Sequence, residues 1–201
     1  KIPTGSECFE NWTAYCRLQI NYVEHIQPLW DLTRQTFDVD TAELITDNTC
    51  TQCHSLYDND NLAQLPAGQL DLSSTNSTDE SAHLTSYREL LFNDVEQEII
   101  DGILVDKRIE QLDVNGNVVY QLDAQGELIL DSEDNPIPVL TTIPIPAVLS
   151  TNGAFASDQF LQKFRVGSHQ GRLSVHELKL ISEWLDIGGQ YYNTPFYQGE
   201  E

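Results

Sequence analysis

The sequence has no methionine and few basic residues: ten Lys and Arg stand against 32 Asp and Glu, which gives a formal net charge of −22. A surface this acidic repels nucleic acids and anionic lipid headgroups, so neither is expected as a partner. It favours partner proteins with basic patches, at association rates that depend on ionic strength, although solubility alone could also explain the excess of acidic residues. No apolar run approaches the length of a membrane span. The absence of even an initiator Met predicts a mature chain whose export signal has been removed.

Cysteine is scarce as well, and two of the four thiols lie in Cys50-Thr51-Gln52-Cys53-His54. Two thiols about one helical turn apart can add across the two vinyl groups of a porphyrin, and the adjacent imidazole can reach the iron. The motif therefore predicts one covalently bound haem c. Cys50 and Cys53 are the predicted attachment points, and His54 is the predicted axial ligand.

A thioredoxin-type dithiol and a zinc site are the alternatives for these thiols. The dithiol needs a strand before the first Cys, whereas residues 46–49 are expected to form a polar turn. Cys53 and His54 are adjacent and chelate one tetrahedral metal poorly, and no second ligand pair with finger-like spacing follows. Covalent haem attachment is the interpretation that the motif favours.

Cys8 and Cys16 are the remaining thiols. They most simply form a local disulfide in the N-terminal segment, and two free buried thiols are the alternative. A disulfide and an attached haem both indicate a compartment outside the reducing cytosol. We therefore expect an exported protein, periplasmic or on the cell surface of a bacterium.

Apolar periodicity predicts three main helices. The first runs from about His25 to Gln35, with a proline in its first turn. The second covers residues 86–91, and a short continuation is expected over 94–100. The last opens at the capping box of Ser174 and Glu177 and ends at two glycines, 188 and 189.

Residues 103–146 have a different composition, because Asp-x-x-Gly turns repeat between aliphatic runs and four prolines mark the exit. This pattern predicts a β-hairpin meander with a Pro-rich exit, inserted in a single domain of residues 1–201. The turns could hold calcium, but they lack the distal Glu and the spacing of an EF-hand, so solvated turns are favoured. The exposed edges of the meander could also join copies of the chain.

Three segments resemble bacterial cytochrome c domains. His25-Ile26-Gln27-Pro28-Leu29-Trp30 resembles the first helix of domains that have Asp-Ile-Gln-Pro-Ile-Phe before their haem motif. Pro66-Ala67-Gly68-Gln69-Leu70-Asp71-Leu72 is similar to the Gly-Leu-Asp-Leu segment that follows the motif there. Leu173 to Glu177 and Trp184 to Gly188 resemble the terminal helix. The resemblance implies a mainly α, class I cytochrome c-like fold with one haem.

Within that class the chain is most similar to monohaem domains related to the hydrazine synthase alpha subunit. The similarity lies in Ser86-Tyr87-Arg88-Glu89-Leu90-Leu91 and in Gln190-Tyr191-Tyr192-Asn193. Kinship of this kind does not establish nitrogen chemistry for the chain.

The resemblance also implies the groups around the iron. A proline carbonyl about a dozen residues downstream usually holds the ring of the proximal histidine, and Pro66 stands there, with an ordinary turn proline as the alternative. The class usually places a methionine ligand in the loop before the terminal helix. His169 takes that place and is the predicted distal ligand. His25, His83 and an open iron position are the alternatives.

Iron held by two histidines stays six-coordinate, so the sequence predicts electron transfer, at a lower potential than His/Met ligation gives. An open position would instead favour a haem enzyme subunit or a ligand sensor. A structural role, with the β insertion as an interface, is the third hypothesis. Because no catalytic constellation stands out, an electron carrier is favoured over an enzyme.

Overall fold

A computed structural model describes residues 18–193 together with Cys8, Asn11, Thr13 and Cys16. The structure is 27% helix and 21% strand, in short helices and several small sheets. The prediction of a mainly α, class I cytochrome c-like fold is therefore wrong. The physical reason is that residues 94–110 and 140–145 contain six paired strands and that the helices are short.

The described helices and strands have the following bounds. The α-helices are α1 Gln27–Asp31, α2 Cys50–Cys53, α3 Thr85–Leu91, α4 Asp158–Arg165 and α5 Val175–Asp186. The strands are β1 Gln35–Phe37, β2 Leu44–Asp47, β3 Asp94–Val95, β4 Gln97–Ile100, β5 Ile103–Asp106, β6 Arg108–Glu110, β7 Leu140–Thr142 and β8 Pro144–Ile145. They pair antiparallel as β1 with β2, β3 with β8, β4 with β5, and β6 with β7.

The predicted first helix is shorter than expected. A π-helical turn, Tyr22–Ile26, leads into α1, whose first turn carries Pro28. The helix ends at Asp31, because Gln35 already pairs with Asp47 in the β1–β2 hairpin. The helix expected over 94–100 is absent too, since those residues belong to β3 and β4. The helices at 86–91 and after Ser174 are confirmed.

Aromatic side chains from both ends of the chain form the centre of the core. Trp30, Trp184 and Tyr22 are fully buried. The Trp30 indole donates a hydrogen bond to the Tyr22 hydroxyl over 3.1 Å. The backbone N–H of Tyr22 donates to the carbonyl of Tyr191 over 2.9 Å. This bond fastens the segment before α1 to the segment after α5, and the burial of large rings stabilises the pairing.

The β region contains three hairpin turns of one construction. Asp113, Asp123 and Asp131 each accept two backbone N–H groups, two and four residues further on, through one carboxylate oxygen. The turns therefore satisfy these carboxylates within the loop, as in other Asx turns. Gly116 and Gly126 have φ of 83° and 86° in the first two turns. In the third turn Asp134 takes that position with φ 62°.

The segments between these turns do not form a flat meander. The backbones of Gln111, Val119 and Val139 join in a closed ring of three hydrogen bonds, each 2.8 Å long. A second ring joins Gln121, Ile129 and Ile137 by bonds of 2.9 and 3.0 Å. The strands of this region begin at β3, ahead of the predicted boundary at residue 103.

Two further predictions, the local disulfide and the lack of a membrane span, concern residues that the structure describes. Cys8 and Cys16 form the predicted disulfide, with their Cα atoms 5.8 Å apart. Among the described helices, none has the length and apolar character needed to cross a membrane.

The cap of α5 is open to a direct test. The Ser174 hydroxyl accepts the backbone N–H of Glu177, and the Glu177 carboxylate accepts that of Ser174. Ser174→Ala leaves one helix N–H without its acceptor, so the free energy of unfolding should fall by about 1 kcal/mol in urea titrations. Ser74→Ala, in an exposed loop, is the control and should leave it unchanged. An unchanged value for Ser174→Ala would contradict this account of the helix start.

Candidate ligand site between His54 and His169

The turn before the Cys-x-x-Cys-His motif is held by hydrogen bonds between side chains and backbone N–H groups. The Asp47 carboxylate accepts the N–H of Thr49 over 2.9 Å, and the Thr49 hydroxyl accepts the N–H of Arg34, also over 2.9 Å. Helix α2 follows at once, and the N–H of His54 donates to the carbonyl of Cys50 over 3.0 Å. The single helical turn therefore brings both thiols and the imidazole into one region.

The ring of His54 is held by a carbonyl, but not by the predicted one. Its Nδ1 lies 3.1 Å from the carbonyl oxygen of Leu70. The carbonyl of Pro66 instead accepts the N–H of Gln69 over 2.8 Å, which makes it a turn proline. The prediction for Pro66 is thus corrected to Leu70. The contact fixes the ring and leaves Nε2 as the nitrogen available to a ligand. Burial lowers the pKa of His54, which favours the neutral imidazole.

His169 lies beside His54, with 5.8 Å between the ring centroids. Its backbone N–H donates to the carbonyl of Lys163 over 2.9 Å, which folds the loop back onto α4. Gly167 permits this return, because a Cβ there would lie 2.8 Å from the Lys163 Cα. Ser168 Oγ lies 2.8 Å from His169 Nδ1, and the Phe164 ring packs at 5.5 Å. The structure brings the two predicted histidines together, while their role as metal ligands stays a prediction.

The alternative distal ligand, His25, lies elsewhere. It is buried in the π-helical turn, where its Nδ1 is 3.0 Å from the backbone nitrogen of Asn21. It is not among the residues that surround the cavity beside His54. His83 is also remote, because it packs on Tyr87 and Tyr191 with centroid distances of 5.0 and 4.5 Å. Of these histidines, His169 alone shares the cavity with His54.

A cavity of about 70 Å³ separates the two histidines from the core. Its walls are mostly apolar and come from several segments of the chain; they include Trp30, Leu70, Leu72, Val148, Phe160 and Phe164. Two cationic side chains, Lys163 and Arg172, also line it, and no carboxylate does among the described residues. The cavity therefore suits an occupant that is apolar over most of its surface and carries negative charge.

The first thiol of the motif borders this cavity and the second does not. Cys50 is half-buried and Cys53 is exposed, and neither forms a disulfide. Burial raises the pKa of Cys50, and the nearby Arg34 guanidinium acts in the opposite direction. Arg34 is itself fixed by Glu177 at 2.6 Å, which ties the motif to the first turn of α5.

The prediction of haem c as the cofactor is contradicted. Across the described part of the chain, no group of three or more His, Cys, Asp or Glu side chains could hold a metal ion. The cavity volume of about 70 Å³ is also well below the roughly 300–1,000 Å³ of pockets that take drug-sized ligands. The motif has the spacing that covalent attachment needs. The spacing does not tell whether the fold leaves enough volume beside the thiols for a haem.

No family model, curated protein or solved structure matches the chain. The resemblance to cytochrome c domains, including those related to the hydrazine synthase alpha subunit, therefore stays a prediction from the quoted residues.

Sequence reasoning missed helix α4, which supplies Lys163 and positions the His169 loop. The signal was available. Phe160, Leu161 and Phe164 share one face at helical spacing, Asp158 lies in the first turn, and Lys163 and Arg165 lie in the last. The contributions of Leu70 and Arg172 have no comparable sequence signal, because they depend on how distant segments meet.

A second group of ionisable residues lies around Asp71, the residue that follows Leu70. Asp71 is 2% exposed, and its carboxylate accepts the backbone N–H and the hydroxyl of Ser73. Asp71, Glu89 and Asp94 border a cavity of about 380 Å³. Burial, the Asp94 carboxylate and then Asp71 together raise the pKa of Glu89 from 4.5 to about 8.

The raised pKa of Glu89 predicts how stability depends on pH. The unfolded chain releases this proton near pH 4.5, whereas the folded chain holds it to about pH 8. The stabilisation is therefore complete below about pH 4.5 and is lost as the pH rises through about 8. Glu89→Gln keeps a neutral side chain at every pH. Between about pH 5 and 9 the urea concentration at its unfolding midpoint should therefore fall less than the wild-type midpoint does.

Glu133→Gln is the matched control, because Glu133 lies in an exposed turn of the β region. Its stability should follow the wild type across the pH range. Parallel curves for Glu89→Gln and the wild type would show that Glu89 ionises in the folded state as it does in the unfolded state.

Proposed function

We propose that the chain is an electron-transfer protein whose one-electron centre is held at the cavity between His54 and His169. The observation that carries the proposal is the approach of these two rings to 5.8 Å beside an apolar cavity. Two imidazoles that bind one metal from opposite sides, each through a nitrogen about 2 Å from it, have centres roughly 6 Å apart. The separation of the two rings supports a shared metal.

The chemistry of the two rings supports the same proposal. Burial lowers the pKa of both His54 and His169, with Arg172 acting in the same direction, so both rings favour the neutral form that binds metals. Each ring has Nδ1 engaged, His54 with Leu70 and His169 with Ser168, which leaves the other nitrogen for a metal. Imidazole suits iron and copper among the redox-active metals.

The protein supplies two such ligands and no third within the described residues. A metal at this site would therefore have two protein ligands, with the side chains of Lys163 and Arg172 in the same cavity wall. A metal whose ligands are complete needs no substrate pocket and changes little between its oxidation states. That property favours electron transfer over catalysis.

Two properties of the chain outside the site support a compartment and a class of partner for such a carrier. The confirmed disulfide between Cys8 and Cys16 supports an exported protein in a periplasmic or cell-surface location. The net charge of −22 supports redox partner proteins whose docking patches are basic.

Metal analysis and ferric electron paramagnetic resonance of the exported protein test the proposal. We expect one redox-active metal ion per chain, most simply low-spin iron, that dithionite reduces reversibly and that binds carbon monoxide weakly. His169→Ala removes one ligand and should convert the signal to high spin. His176→Ala is the matched control, because His176 is exposed on α5, outside the cavity, and should leave the signal unchanged.

A chain without a redox-active metal would overturn the proposal. A high-spin signal with ready carbon monoxide binding in the wild-type protein would show an open ligand position. An enzyme or ligand sensor would then replace the electron carrier.

A further inference from the structure

Residues 109–146, which we call the acidic insertion, contain seven Asp and Glu and no Lys or Arg. A leucine directly precedes the Asp of each of the three turns. These side chains, Leu112, Leu122 and Leu130, are 55%, 57% and 47% exposed. Single exposed apolar side chains are ordinary on protein surfaces. A leucine that recurs at the same position of three turns, each time beside a carboxylate, instead indicates a contact surface.

The closed rings decide how the acidic insertion can contact a partner. In the rings at Gln111 and Gln121, every residue both donates and accepts one backbone hydrogen bond. A partner therefore cannot add a strand at these levels, although the turn pattern alone predicts exposed edges. Contact must be made through side chains, and the insertion offers leucines and carboxylates. The complementary surface has apolar side chains among basic ones.

A surface of that composition lies elsewhere on the same chain. We call Lys163, Arg165, Val166, Val175 and Lys179 the basic face, which holds three of the ten basic residues. Val166 and Val175 are each 75% exposed. The side chains of Arg165 and Lys179 are 51% and 72% exposed. Val175 and Lys179 are four residues apart on α5, so they lie on one side of that helix.

The loop between α4 and α5 is fastened to the end of α4. The N–H of His169 donates to the carbonyl of Lys163 over 2.9 Å, and the N–H of Gly171 donates to the carbonyl of Phe164 over 3.3 Å. The half-buried Arg172 adds a further positive charge to this loop. The helix end that carries Arg165 and the loop that leads into α5 are therefore one bonded unit.

The cations of the basic face are available to a new carboxylate. Arg165 pairs with Asp158 at 3.2 Å, and Lys179 lies 3.6 Å from Glu183. Both pairs are on the surface, where ion pairs contribute little to stability. Exchange of these partners for carboxylates of another molecule therefore costs little.

We propose that the acidic insertion of one copy docks on the basic face of the next copy of this chain. The leucines of the turns contact Val166 and Val175, and the carboxylates pair with Arg165 and Lys179. A second copy is the occupant because each chain carries one surface of each kind. The two surfaces lie on different parts of the chain, so the contact is head-to-tail and further copies can add. The contact needs no metal and is independent of the proposed function.

The net charge of the chain sets the conditions for this association. Two copies of net charge −22 repel each other at long range. At an ionic strength of about 0.15 M, charges more than about 8 Å apart are largely screened, whereas charges in contact are screened much less. The complementary contact therefore outweighs the overall repulsion at physiological salt.

Sedimentation velocity of the full chain over a range of concentrations, at about 0.15 M salt, tests the proposal. The insertion variant combines Leu122→Asn with Leu130→Asn, and the face variant combines Arg165→Gln with Lys179→Gln. The wild-type sedimentation coefficient should rise with concentration beyond the value of a dimer. Each variant alone should need a several-fold higher concentration to associate. An equimolar mixture retains one intact surface on each partner, so it should form heterodimers that do not grow.

Two controls match these variants. Leu62→Asn makes the same substitution at a side chain that is 64% exposed and lies outside both surfaces. Asn59→Asp with Ser74→Asp makes the net charge more negative by the same two units at exposed loop positions. Both controls should associate as the wild type does. Should the insertion variant fail to fold, the face variant on α4 and α5 still decides.

The proposal is overturned if the wild type stays monomeric at every concentration, if a folded surface variant associates as the wild type does, or if the controls lose association equally. A wild-type dimer that does not grow, with no heterodimer in the mixture, would show a symmetric contact and would also overturn it. Metal analysis of the same samples separates the two proposals. Metal without association refutes the docking alone, and association without metal refutes the proposed function alone.

Discussion

The attachment of the segment before α1 to the segment after α5 is the constraint on which the candidate site depends. Tyr22 donates its N–H to Tyr191, and Asn193 bonds to the side chain of Asn21 over 2.7 Å and to the carbonyl of Leu18 over 3.2 Å. The ends of the described chain are thereby joined around Trp184. Trp30 follows Tyr22 by eight residues and is hydrogen-bonded to it, and Trp30 lines the cavity where His54 and His169 meet, so this attachment also positions one wall of the site.

Electrostatics set the site apart from the rest of the molecule. Residues 159–176 contain Lys163, Arg165 and Arg172 and none of the 32 acidic residues. In a chain of net charge −22, this stretch is an electropositive area, and it includes the loop of His169. The basic partner that the proposed function calls for would therefore be repelled from this loop although the molecule as a whole attracts it.

The sequence predicted those features whose cause is local. The Cys-x-x-Cys-His motif, the capping box at Ser174 and the pairing of Cys8 with Cys16 each depend on residues close together in the chain, and the last two are present in the structure. Pro66 was predicted by analogy and replaced by Leu70, because the ring of His54 is oriented by the chain after the turn. The mainly α fold and the haem c cofactor were inferred from two ends of the chain and a motif. The turn pattern indicated strands over 103–146, but neither the resemblance nor the motif contains a signal for the strands at 35–47 and 94–100 or for the volume beside the thiols.

The closed hydrogen-bond rings of the β region have a consequence for how that region could have arisen. In each ring every segment gives one backbone hydrogen bond and receives one, so the level formed by the ring has no free edge for another strand. Each Asp turn leads the chain from one corner of a ring to the next. A further ring needs three more corner residues, and an insertion that supplies fewer would leave that level open. A change in length that keeps every level closed must therefore repeat a complete unit of turn and corners.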